Sequence, residues 1–249
     1  MKRSIKFIAF ALVIAMLASG CGLLKDLGVR MITPSNVIIT ETRDVSGFNS
    51  IEISTLGKLV INQGPSESVT ISGSDNLVPL IKTNVRNNVL VISSDEGITV
   101  TSLNEMNLTI TIGLKDLSSL DISGLSDVQM GSLSTPSLNL SMSGAGRVQL
   151  DQLFTDKLNV SVSGLGSVEL AGEAKEATIN ISGAGSVKAS DLKIQSANVS
   201  VPGLGSATLW VTDQLTGNIS GAGSVSYYGN PQAKTNSSGL GSFKSLGNK

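Results

Sequence analysis

From Leu138 to Leu150 the chain alternates between apolar and polar residues around a short glycine interruption. Leu138, Leu140 and Met142 alternate with Asn139, Ser141 and Ser143; Val148 and Leu150 then alternate with Arg147 and Gln149. A period of two sends successive side chains to opposite faces of a strand, so two short strands with one buried face are expected here. The same beat returns as Leu158, Val160 and Val162, then Val168 and Leu170, on either side of Gly164-Leu165-Gly166.

The interruption itself repeats. Ser123-Gly124-Leu125-Ser126 is a degenerate first copy. Six copies follow, with glycine pairs Gly144 and Gly146, Gly164 and Gly166, Gly183 and Gly185, Gly203 and Gly205, Gly221 and Gly223, and Gly239 and Gly241. Successive first glycines are 20, 20, 19, 20, 18 and 18 residues apart. These glycines are expected to form structural turns, tolerating positive φ at tight corners. A unit of about 20 residues cannot bury its own apolar face, but stacking at about 4.8 Å per rung can.

The fold expected is therefore all-β, a parallel β-helix or solenoid with about 20 residues per repeat. Seven such rungs make a rod of roughly 30 Å. No six-residue apolar beat of the left-handed hexapeptide helix is present, which favours a right-handed coil. The residue between the glycines alternates strictly: Leu125, Ala145, Leu165, Ala184, Leu204, Ala222, Leu240. With one repeat per rung these interleave in one column, as close packing favours; with two repeats per turn they divide between two sides. One repeat per rung is the preferred reading.

Residues 37–119 carry strand character without the motif. Val37–Ile39, Ile51–Ile53, Leu59–Ile61, Val69–Ile71, Leu90–Ile92 and Leu108–Ile112 are strand candidates separated by turn-rich runs. Only Leu77 to Lys82 hints at a helical turn. The segment is expected to form irregular N-terminal rungs, continuous with the repeat solenoid of residues 120–249.

The N-terminus reads as an address. Lys2, Arg3 and Lys6 precede an apolar run from Phe7 to Leu17, too short to span a bilayer, and then Ala18-Ser19-Gly20 and Cys21. This is the layout of a lipoprotein signal peptide over residues 1–20, with lipid attachment at Cys21 and a lipidated tether over residues 21–36. Gly22 follows the cysteine where an inner-membrane retention aspartate would stand, so in a cell with two membranes an outer-membrane location is expected, on its periplasmic side or at the cell surface. Removing residues 1–20 deletes three positive charges and takes the formal net charge from −1 to −4.

Composition narrows the chemistry. The chain has 249 residues and no histidine, which removes imidazole catalysis and His-containing zinc sites. Its single cysteine excludes an internal disulfide framework and a Cys-cluster metal site. Eighteen Lys and Arg against nineteen Asp and Glu provide no basic field for nucleic acid. The excess of serine and glycine belongs to corners and outer faces, while 40% hydrophobic residues suffice for a core. Strands rather than a helix follow the glycines, so these turns are not phosphate loops. Only Asp127 stands where a calcium-binding repeat needs an aspartate, so no metal and no cofactor are expected.

Two candidate surfaces remain. Asp121, Asp151, Asp156, Glu169, Glu173, Glu176, Asp191 and Asp213 are scattered; Asp151, Glu169 and Glu173 can approach on adjacent rungs, but a solvated face is the simpler reading. A polysaccharide lyase or hydrolase of the β-helix type would need an acid cluster and a cleft, and the repeats leave no room for long loops. Asn107, Asn139, Asn159, Asn180, Asn198, Asn218 and Asn236 head Asn-x-Ser/Thr triplets, which formally match the glycosylation acceptor; most are read instead as solvent-facing or corner amides that stack between rungs. Trp210 and Tyr228 follow Leu209 and Tyr227 in successive repeats, so their rings are expected side by side on the outside as a ligand-binding aromatic pair.

The combination of Phe48-x-x-Ile51-x-Ile53, Ile61-x-Gln63-Gly64, Leu90-x-Ile92, the tandem Ser-Gly-x-Gly turns and Tyr228-Gly229-Asn230-Pro231 resembles the head GIN domain family of auto-transporter adhesins, over about residues 44–246. The resemblance implies a β-helical, secreted or lipid-anchored protein. The family often has Ser between the glycines and Asp after them; Leu or Ala, and mostly Ser or Arg, stand here. The expected function is a non-catalytic cell-envelope lipoprotein, a binding scaffold or adhesin for polysaccharide or an envelope protein. The alternative is a structural envelope protein that self-associates through an open solenoid edge, and a β-helix polysaccharide enzyme ranks third.

Overall fold

The computed structural model describes residues 30–95, 97–101 and 107–249. The signal peptide, Cys21 and the first part of the tether lie outside the described residues. Among those described, the first strands are β1 (Arg30–Ile32), β2 (Ile38–Arg43), β3 (Ser50–Ser54), β4 (Gly57–Gln63) and β5 (Ser68–Ser74). Next come β6 (Ile81–Arg86), β7 (Val89–Ser94), β8 (Ile98–Val100), β9 (Thr109–Leu114) and β10 (Ser119–Ile122). The repeats follow as β11 (Leu125–Met142), β12 (Ala145–Val162), β13 (Ser167–Ile181), β14 (Ser186–Val201) and β15 (Ser206–Ile219). The chain ends with β16 (Ser224–Tyr228), β17 (Gln232–Ser237) and β18 (Ser242–Ser245).

From β10 onward every pairing is parallel and joins each repeat to the next, giving a β-solenoid with one repeat per rung. Val128, Val148, Val168, Val187, Ala207, Val225 and Phe243 are consecutive register partners, and the first six are buried. Burying each aliphatic side chain in such a column contributes about 1.5–3 kcal/mol. Alternation in β11 is interrupted twice by two successive outward residues, Gly131-Ser132 and Pro136-Ser137. With the Ser-Gly-x-Gly turn, these give each rung three corners. Buried Thr135 and Thr155 help close the last of them, donating to the carbonyls of Ser137 (3.4 Å) and Lys157 (3.1 Å).

The motif glycines are needed for a reason other than the one the sequence suggested. Of those named above only Gly146 has positive φ (146°). What excludes a side chain is the rung beneath. A Cβ on Gly144 would lie 2.0 Å from the Gly124 carbonyl oxygen, and one on Gly221 would lie 2.0 Å from that of Gly203. From Gly166 to Gly223 the second glycines are buried: a Cβ on Gly185 or Gly205 would meet the side chain of Val162 (2.6 Å) or Ile181 (2.3 Å). In the degenerate copy Ser126 is buried and donates to the Thr55 carbonyl at 2.8 Å.

The column between the glycines is single, as one repeat per rung requires, but it lies outside the core. Leu125, Leu165, Leu204 and Leu240 are exposed, Leu165 by 75%. Close packing therefore does not account for its alternation. The glycines on either side draw the backbone inward, and the residue between them is left at the tip of the corner.

Residues 37–119 combine two arrangements. β3 and β4 lie parallel beneath β10 and β11, with β7 and β9 on their other side. Beyond them the pairing becomes antiparallel, β2 with β5, β5 with β9, and β6 with β7. The expected strands are all present. β6 was not expected because it has little apolar alternation; it is fixed by the hairpin at Asn87 and Asn88, both at positive φ (50° and 65°). The helical hint is a single 3-10 turn at Val78–Leu80. From Arg30 the expected tether is docked: β1 pairs with β8, the Ser35 N–H donates to Asn76 Oδ1 (3.1 Å), and Asn76 Nδ2 donates to the Thr33 carbonyl (2.8 Å).

A candidate binding surface at Trp210 and Tyr228

The spacing of first glycines falls from 20 to 18 residues after Gly203. In space the shorter repeat loses part of one corner. Ala189 is the partner of Leu209, but the next paired position joins Lys193 to Trp210, so Ser190, Asp191 and Leu192 have no counterparts on β15. The corner of β14 therefore projects as a ledge, and Trp210 stands beside it. Trp210 pairs with Tyr228, which places the two rings on adjacent rungs, both half-buried.

Lys249 crosses this surface. The Leu246 N–H donates to the Tyr227 carbonyl (2.8 Å) and the Gly229 N–H to the Gly247 carbonyl (2.9 Å), extending the last rung alongside β16. The Lys249 ammonium lies 5.2 Å from the centre of the Trp210 ring and 5.8 Å from that of Tyr228. It also donates to the Ser190 carbonyl and to Asp191 Oδ1. That hydrogen bond and the adjacent positive charge hold the Asp191 carboxyl below its ordinary range. Sequence reading found the aromatic pair and named Asp191 only among scattered acids, missing that it meets the pair with Ser190 and Lys249; the change in repeat length was the available signal.

The three carboxylates expected to approach one another are divided between two depressions. Asp151 and Glu169 line one shallow depression with Lys188 and Asp191, whereas Glu173 lines another with Asp156 and Lys175. Glu169 pairs with Lys188 at 2.8 Å and with Arg147 at 3.9 Å. The Lys188 hydrogen bond lowers its pKa, the opposite of what a general acid needs. Asp156 pairs with Lys175 at 2.7 Å. Among the described residues no three His, Cys, Asp or Glu side chains converge as a metal site. Some outer amides do stack between rungs: Asn159 Nδ2 donates to Asn139 Oδ1 (2.8 Å), and Asn236 Nδ2 to Asn218 Oδ1 (3.2 Å). Among the described residues no helix is long and apolar enough to cross a membrane.

Residues 47–231 match the model of the family described as "Putative auto-transporter adhesin, head GIN domain". A crystal structure described as a "putative adhesin" from Bacteroides fragilis NCTC 9343 is 31% identical, with a TM-score of 0.83, covering 86% of this chain and 100% of its own. Two others share the fold. A "putative adhesin" from Parabacteroides merdae ATCC 43184 has 22% identity and TM-score 0.67, covering 87% of this chain and 99% of its own. A "Putative lipid binding protein" from Parabacteroides distasonis ATCC 8503 has 19% identity and TM-score 0.70, covering 87% of this chain and 100% of its own. No curated protein matches the chain. The adhesin description points to the cell envelope or surface. With the family model spanning most of the solenoid and a solved relative matching its rungs, this chain belongs to the head GIN domain family.

Proposed function

We propose that this protein is a non-catalytic envelope lipoprotein, anchored through Cys21 in the outer membrane, that serves as an adhesin or binding scaffold. The observation that carries the reading is the Trp210–Tyr228 pair, two half-buried aromatic rings in register on the outside of the solenoid. Aromatic rings offer large apolar faces at small entropic cost, suited to a sugar ring or a partner side chain. The outer Ser, Asn and Thr columns add a repetitive polar surface for weak multivalent contact with polysaccharide or an envelope protein. Capture from an envelope extract tests it. Replacing Trp210 and Tyr228 together by leucine should abolish retention of the partner while the protein stays folded; retention at the wild-type level overturns the reading.

The open edge favours a second reading, self-association. β17 and β18 pair on one side only among the described strands, and their outer strand edge is a template for another chain. Concentration-dependent sedimentation that is lost on placing proline in β18 supports it, and a monomer at all concentrations overturns it.

A further inference from the structure

The cluster around Lys249 has the composition of a receptor for an organic cation. Its wall comes from three successive rungs, Asp191 from β14, Trp210 from β15 and Tyr228 from β16, whose backbones are set by strand pairing between rungs. The ammonium within it touches two ring faces, a carboxylate and a carbonyl. Ring quadrupoles attract a cation, and the two oxygens accept its N–H bonds. The backbone carrying Lys249 continues from β18 and is held beside this site by the Leu246 and Gly247 hydrogen bonds described above. Asp191 remains 71% exposed while Lys249 is 33% exposed, so the site opens to solvent and the occupant is the better covered partner.

We propose that Asp191, Trp210 and Tyr228 form a binding site for a lysine side chain of a protein partner, and that Lys249 fills it as an internal stand-in. The acceptors decide the ligand class. A quaternary ammonium has no N–H to offer the Ser190 carbonyl or Asp191, whereas a primary ammonium has three. A lysyl chain also provides methylenes to lie against the rings. Because the stand-in is tethered, it competes at a millimolar effective concentration, and a partner must displace it. The inference rests on the reading of Trp210 and Tyr228 as a contact surface and specifies what they contact.

Trp210 is the sole tryptophan of the chain, so its fluorescence reports the site directly. The full protein and its Lys249→Ala variant are titrated with N-α-acetyl-lysine methylamide, using the norleucine analogue and choline as controls. The variant should give a saturable change in emission in the millimolar range, and the wild type should need about twofold more probe, because a millimolar competitor at a site of millimolar affinity about doubles the midpoint. Adding Asp191→Asn to the Lys249→Ala variant should raise the midpoint about tenfold, with circular dichroism unchanged. No saturable response in Lys249→Ala, an equal response to the norleucine analogue, or tighter binding of choline overturns the assignment. Envelope capture by the Trp210→Leu, Tyr228→Leu protein separates the two readings. Lysine binding with unaltered capture sinks the scaffold reading alone; lost capture without lysine binding sinks the lysine assignment alone.

Discussion

The Cβ that Gly164 lacks would lie 2.0 Å from the carbonyl oxygen of Gly144. Every rung meets its neighbour this closely at the Ser-Gly-x-Gly corner, and the obstacle is backbone, which no rotamer change can relieve. Gly164→Ala should therefore destabilise the protein by about 3 kcal/mol or more. Gly131, also at a corner, has no atom within 4 Å of its missing Cβ. Gly131→Ala should change stability by about 0.5 kcal/mol at most. Urea denaturation of the two variants checks the contrast; equal effects would show that the corner does not depend on backbone contact.

The leucines of the outer column and those of the core should respond unequally to mutation. Leu165 is 75% exposed and Leu158 is fully buried. Leu165→Asn should leave stability within about 0.5 kcal/mol of wild type. Leu158→Ala should cost about 2–5 kcal/mol through lost transfer energy and the cavity left behind. Midpoints of thermal or urea unfolding give the comparison.

Acid should release Lys249 from its site. Asp191 has a folded-state pKa below its ordinary 3.8, chiefly through the Lys249 hydrogen bond. A carboxyl with a lowered pKa contributes its stabilisation above the ordinary value and loses it as pH falls through the lowered one. Trp210 emission should hence stay constant at neutral and mildly acid pH and change only below about 3.8. In Lys249→Ala that transition should vanish. A transition of the same size in the variant would assign it to another group, and parallel circular dichroism distinguishes it from unfolding.

Membrane attachment should depend on one sulfur. Cys21→Ser removes the thiol that lipidation requires. Fractionation of cells expressing this variant should move the protein from the membrane to the soluble fraction, and metabolic labelling with a fatty acid should be lost. A variant still labelled and still sedimenting with membranes would refute the anchor.

Much of this fold was legible because a solenoid is nearly one-dimensional. Each repeat contacts its neighbours, so the period of the glycine pairs carried the register: Leu125 beside Ala145 and Leu138 beside Leu158 follow from counting residues. The antiparallel N-terminal strands were legible as strands but not as pairings, because partners such as Ile38 and Ser74 are joined across a long stretch of chain with no repeat. β1 and the docking of Ser35 gave no signal at all, since polar backbone contacts need no apolar alternation.

The amino-acid sequence by itself determined the rung: alternation chose which side chains face inward, and glycine recurrence chose where the backbone turns. It also put Trp210 opposite Tyr228 by equal spacing within successive repeats. The tertiary structure alone decided what surrounds that pair. A shortened repeat left the Ser190–Asp191 corner projecting, and the last rung returned Lys249 across it, 58 residues away in sequence. Period carries information about what stacks on what. Where the period changes, the offset between rungs must be absorbed in three dimensions, and there the ammonium found its carboxylate and its two rings.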